Sequence, residues 1–292
     1  MGNRMNKIIL IIASILFANT AYATSETALS LKVYNADSHS FHVNSTLIYG
    51  ETEAAIIDAG FTKADALRIA ANVLDSGKKL TTIFISQADP DYYFGTETLK
   101  QIFPNAQIIT TLAVQKVIQS KMAGKIAFWG PKMGNNAPHS PILPKAITDS
   151  AFTVDGYRVE IHGTSGLLAH RPYLWIPSIK ALLGNIGIFG NLHVWTADTQ
   201  SQQKLDAWQV QLAEMQGLNP LIAVPGHMAP NTSLTPDNIN YTALYLKKFE
   251  QEKQQSTNAE ELINKMSEAY PNALFPLALN IGAKVHMGEM KW

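Results

Sequence analysis

The chain has 292 residues, 46% hydrophobic and 16% charged, with as many Lys and Arg as Asp and Glu and no cysteine. That is enough apolar material for a substantial core, and one large domain is a natural size. The charge balance leaves no basic block, which argues against a nucleic-acid partner. The lack of cysteine excludes disulfides, a thiolate nucleophile and thiolate metal ligands.

The N-terminus reads as a secretory leader. Arg4 and Lys7 are its basic start, Ile8 to Ala18 its apolar stretch, and Ala21-Tyr22-Ala23 an A-x-A cleavage site. The stretch is too short to remain as a membrane-spanning helix. A signal peptide is therefore expected over 1–23, and a single domain over 24–292. The mature chain then has a small excess of acids. A periplasmic location is the expectation, with no stable membrane insertion after cleavage.

Beyond the leader, strands and helices alternate. Phe41 to Val43, Ser45 to Gly50 and Ala54 to Asp58 read as short strands closed by turn residues. Thr62 to Ser76 is an amphipathic helix with Ala66, Ile69, Ala70 and Val73 on one face. A strand over Thr82 to Ile85 and a helix over Thr96 to Ile102 follow. Next come a strand over Gln107 to Thr110 and a helix over Leu112 to Lys121. The run Phe128 to Pro138, rich in Gly, Pro, Asn and aromatics, reads as a long irregular loop, either a lid or binding loop or a surface excursion pinned by Trp129. Strand pattern resumes at Ala151 to Val154, Arg158 to His162, Tyr173 to Ile176 and Ala181 to Leu183. A helix over Ser201 to Met215 and a strand over Leu221 to Val224 precede helices over Asn238 to Gln254 and Asn258 to Ala269. This order predicts an α+β fold with two sheets face to face and helices outside, a four-layer αββα sandwich.

The segment Ile83-Phe84-Ile85-Ser86-Gln87-Ala88-Asp89-Pro90-Asp91-Tyr92-Tyr93-Phe94-Gly95 has the most chemistry. An apolar strand runs into a polar loop, and such strand ends are where layered folds bind ligands. Asp89 and Asp91, two apart in an extended loop, can face one pocket. They read as a metal clamp, as an acid/base pair with split pKa values, or as a turn in which Asp89 caps the next helix.

Four segments in order resemble the metallo-β-lactamase superfamily: Ala54 to Gly60, Ile83 to Gly95, Tyr173 to Pro177, and Val224-Pro225-Gly226-His227. The resemblance implies metal-assisted hydrolysis, here of a small ester or lactone. One or two ions would activate a water and polarise the scissile group. It also implies ligand positions, and here the sequence departs from the family. Gln87, Asp89 and Tyr92 stand where the metal loop has histidines, Leu167 near the third-ligand histidine, and Ile186 near the bridging aspartate. Only Asp91 and His227 keep the family residue. The set Asp89, Asp91 and His227 suits a single divalent ion (Zn, Mn, Mg or Ca) or none. Asp91, with His170 or His193 as proton shuttle, is the catalytic expectation, and Trp129 and Tyr93 the expected substrate contacts. The alternative is a catalytically inactive relative whose cleft binds a small-molecule ligand or a partner.

Overall fold

A computed structural model describes residues 29–292; the expected leader lies outside the described residues. Strands β1 (Ser30–Asn35), β2 (Asn44–Tyr49), β3 (Glu53–Ile57), β4 (Lys79–Phe84), β5 (Gln107–Thr111) and β6 (Lys145–Ile147) form one sheet in chain order. Its first two pairings are antiparallel and the rest parallel. The parallel pairings need crossovers, which hold α1 (Lys63–Ser76), α2 (Pro90–Tyr93), α3 (Thr96–Ile102) and α4 (Leu112–Met133).

The second sheet has the order β12-β10-β9-β8-β7, from β7 (Ala151–Val154), β8 (Tyr157–His162), β9 (Tyr173–Ile176), β10 (Ala181–Leu183) and β12 (Ile222–Ala223). Short strands β11 (Phe189–Gly190) and β13 (His227–Met228) pair in parallel beside it. Helices α5 (Gln202–Gly217), α6 (Asp237–Gln254), α7 (Ala259–Ala269) and α8 (Pro276–His286) complete the chain.

The layers follow from period-two alternation along the buried strands. On β3, Ala55 and Ile57 face the second sheet and join Phe84, Val159, Leu174 and Leu183 in the inter-sheet core. Ala54 and Ile56 face the other way and pack with Ile69, Val73 and Val114 of α1 and α4. A third core packs Trp175 and Leu182 of the second sheet against Trp208, Leu246, Leu262 and Leu279 of α5 to α8. This is the expected αββα sandwich. Phe84, fully buried, stacks on Phe152 at 5.7 Å and ties the sheets together.

Two expectations fail. The span Phe41 to Val43 is not a strand: Phe41 and His42 both have φ of 57°, following a 3-10 turn at Ser38–Ser40. Only Val43 makes a bridge, to His227. The run from Phe128 is not an irregular loop, because α4 continues to Met133. Pro131 falls in its last turn, where its missing N–H removes only one helical bond. Lys132 Nζ donates to the Phe128 carbonyl at 3.1 Å, and the Gly134 N–H caps Gly130. Among the described residues, no helix is long and apolar enough to cross a membrane.

Candidate functional site

The site is built where β3 and β4 end. Asp58 closes β3 with a φ of 66° and receives the Ser86 N–H at 2.7 Å and the Ser86 hydroxyl at 2.8 Å. Burial pushes the Asp58 carboxyl up to about 7, outweighing the two bonds from Ser86 that lower it. The Tyr92 carbonyl accepts the Ala59 N–H at 2.7 Å, and the Gly60 carbonyl accepts the Gly95 N–H at 3.1 Å. A side chain at Gly95 would run into the Ala59 carbonyl, so glycine is required for this close approach. These contacts fix α2 and the carboxyl it carries.

Asp91, in the first turn of α2, is 6% exposed, and its Oδ2 stands 3.5 Å from His227 Nε2. The opposite nitrogen, Nδ1, lies 2.8 Å from the Phe41 carbonyl. A carbonyl only accepts, so Nδ1 holds the proton and the Nε2 lone pair faces Asp91. Burial pushes the imidazole down to about 4. Burial, and then the nearby Asp89 charge, hold the Asp91 carboxyl well above the usual carboxylate range. Burial thus favours the uncharged form of both groups, which stand slightly beyond hydrogen-bond length. Phe189 stacks on the imidazole at 5.3 Å.

Asp89 is the N-cap of α2 but makes no side-chain cap bond. Its carboxyl lines the cleft. Burial and the charge of Asp198 raise its pKa, while Lys125 and Arg171 counter them.

The remaining sequence candidates separate. Trp129 lines the cleft, edge-on to Phe61 at 5.2 Å. Tyr93 does not line it: it is fully buried, edge-on to Phe94 at 5.2 Å, with its hydroxyl unpartnered among the described residues. Neither His170 nor His193 lines the cleft. Tyr245 holds His193 Nδ1 at 3.0 Å, under the C-terminal helices, and burial pushes this imidazole down to about 4. His170 is likewise pushed to about 4, first by burial and then by Arg171.

The expected metal ligands are not assembled. Among the described residues, no three His, Cys, Asp or Glu side chains come together in a way that could hold an ion. Asp91 and His227 meet, but Asp89 does not complete a set with them. Gln87 donates its amide to the Pro172 carbonyl at 3.1 Å. Leu167 is 54% exposed, because its 3-10 turn buries Leu168 instead. Ile186 presents an apolar wall to the cleft. Tyr92 is fully buried near both Asn185 and His227: its hydroxyl is 3.4 Å from the Asn185 carbonyl and its ring 5.6 Å from the imidazole. The donor set does not fit the superfamily's metal pair.

Sequence reasoning missed most of the cleft wall. Phe41, Phe61, Trp195, Phe275 and Trp292 join Trp129 around a cavity of ≈ 210 Å³. Asp198 accepts the indole N–H of Trp195 at 2.7 Å and that of Trp292 at 2.8 Å. The wall comes from separate stretches of chain, so no local signal marks it.

Residues 40–173 match the profile of the metallo-beta-lactamase superfamily. A comparison with curated proteins finds no match. Among solved structures, the chain is similar to a metallo-beta-lactamase family protein from Thermus thermophilus, at 16% identity and TM-score 0.60, over 90% of this chain and 93% of that one. A beta-lactamase domain protein from Burkholderia ambifaria gives 14% identity and TM-score 0.61, over 92% and 89%. A metallo-beta-lactamase from Pontibacter korlensis gives 16% and 0.54, over 76% and 95%. At these identities the likeness speaks for the fold.

Proposed function

Because residues 40–173 belong to the metallo-beta-lactamase superfamily and the chain has its fold, we propose that this hydrolase-like protein uses the cleft to bind a small organic molecule without the superfamily's metal pair. The observation that carries this reading is Tyr92. Its hydroxyl lies 3.4 Å from the Asn185 carbonyl and its ring 5.6 Å from the His227 imidazole, and the cleft-lining Ile186 offers no donor. A tyrosine there fills volume and still places its hydroxyl against a carbonyl. The aromatic wall, Trp129 included, supplies the apolar surface that small-molecule sites use. The leader-like N-terminus supports a periplasmic setting.

The Asp91–His227 contact favours a second reading, metal-independent hydrolysis of an ester or lactone. In that reaction His227 Nε2 takes a proton from water as the water attacks the carbonyl. Asp91, held protonated by burial, gives its proton to the departing oxygen. Proton transfer between the pair then resets both groups.

Two measurements test these readings. Purified mature protein is exposed to Zn, Mn, Mg and Ca, desalted and assayed for bound metal. The expected content is well below one ion per chain; a full, tightly held equivalent would overturn the metal-poor cleft. A screen of neutral esters and lactones tests the second reading. Turnover that survives both Asp91→Asn and His227→Gln would sink it.

A further inference from the structure

We propose that the cleft's ligand carries an organic cation, a quaternary or protonated amine held against the aromatic wall and the carboxyl groups of Asp89 and Asp198. This deepens the proposed function and rests on the cleft being the ligand site. Three observations converge. First, the wall is aromatic: Phe61 and Trp129, edge-on at 5.2 Å, and Trp195, Phe275 and Trp292 all line it. Ring faces attract cations through their quadrupole, most strongly where water is excluded.

Second, Asp198 sets how two of those rings present themselves. Each of its oxygens takes one indole N–H, from Trp195 and from Trp292, and the two rings lie 5.1 Å apart at 69°. The electropositive N–H edges are thereby consumed. A carboxylate on the N–H also pushes electron density into the ring, so the faces become better partners for positive charge.

Third, the polar groups of the cleft favour a cation. Among the described residues, Asp89, Asp91 and Asp198 line it against a single ammonium, that of Lys125, and His227 keeps its neutral lone pair inward. Asp89 makes no cap bond to its own helix, and Asp91, beyond its own backbone N–H, has the 3.5 Å approach of His227. Arg171 is buried behind this floor and 5.3 Å from the Trp208 ring, so it is not presented to the cleft. An anionic ligand would meet the carboxyl groups of Asp89 and Asp198, and a purely apolar one would leave Asp89 with only the more distant positive charges of Lys125 and Arg171.

Choline and 3,3-dimethylbutan-1-ol have the same shape and differ only in charge. Each is titrated into the intact mature protein, with intrinsic tryptophan fluorescence and displacement of N-phenylnaphthylamine, a neutral aromatic dye, as readouts. Choline is expected to bind about tenfold more tightly than the alcohol. That advantage should shrink to about twofold in Asp89→Asn and in Trp195→Leu, each still binding the dye. Equal or tighter binding of the neutral alcohol, or dye binding that choline does not displace, overturns the cation proposal and leaves the cleft reading intact. Failure of all three probes to bind folded protein overturns both.

Discussion

Ser86 donates both its backbone N–H and its hydroxyl to Asp58, one to each carboxyl oxygen, at 2.7 and 2.8 Å. The ends of β3 and β4 are joined by this one buried group, whose carboxyl is pushed from 3.8 up to about 7. Between those values the folded chain holds the proton more tightly than the unfolded chain. The stability linked to it is complete below about pH 3.8 and lost as pH rises through 7, on the order of 4 kcal/mol in all. In Asp58→Asn, urea midpoints should decline less over this range than in the parent protein. An unchanged slope would show that Asp58 titrates normally.

His193 has the opposite sign. Its folded value of about 4 lies below the ordinary 6.5, so its contribution is present above 6.5 and lost as pH falls towards 4. The loss is on the order of 3 kcal/mol. His193→Gln should keep a partner for the Tyr245 hydroxyl and flatten acid unfolding between those values. The slopes from Asp58 and His193 oppose each other, so the single variants, rather than the parent curve, are the informative measurement.

Gly95→Ala tests how tightly α2 is seated. The new methyl would meet the Ala59 carbonyl and the Ala66 side chain, in backbone that cannot easily yield. Overpacking of this kind costs about 1–3 kcal/mol. The expected result is a lower chemical-denaturation midpoint together with disturbed tryptophan emission from the cleft. A variant as stable as the parent would mean that α2 moves freely.

Tyr92 gives a paired prediction. Tyr92→Phe removes only a hydroxyl 3.4 Å from its acceptor, a weak bond, and should cost below about 1 kcal/mol. Tyr92→Ala removes a fully buried ring and should cost about 3–5 kcal/mol. Comparable losses in the two variants would mean that the hydroxyl, rather than the ring volume, holds this part of the site.

Much of the sandwich is legible because its strands and helices carry strong periodic signals. Tyr173–Ile176 and Ala181–Leu183 are strands at the expected residues, and Thr62 caps α1 with Asp65 as its sequence allows. The α4 extension is not legible: Gly130 and Pro131 are strong breakers, yet at a helix end their cost is small. Strands β1 and β6 and helix α8 are not among the expected elements. For the site, Asp91, His227 and Trp129 stand out because two lie in family motifs and one in an aromatic-rich run. His193, His170 and Tyr93 are misplaced because a residue's type says nothing about which layer it faces. Phe61 meets Trp129, and Phe275 stacks on Trp195 at 6.2 Å, through packing of distant segments that no local pattern encodes.

The cleft wall draws Phe61 and Trp129 from before the second sheet begins, and Trp195, Phe275 and Trp292 from after its strand β10. An occupant therefore touches both ends of the fold at once and acts as a rivet between them. Its grip would be felt far from the chemistry, as slower release of α8 when the chain is pulled apart or offered to a protease.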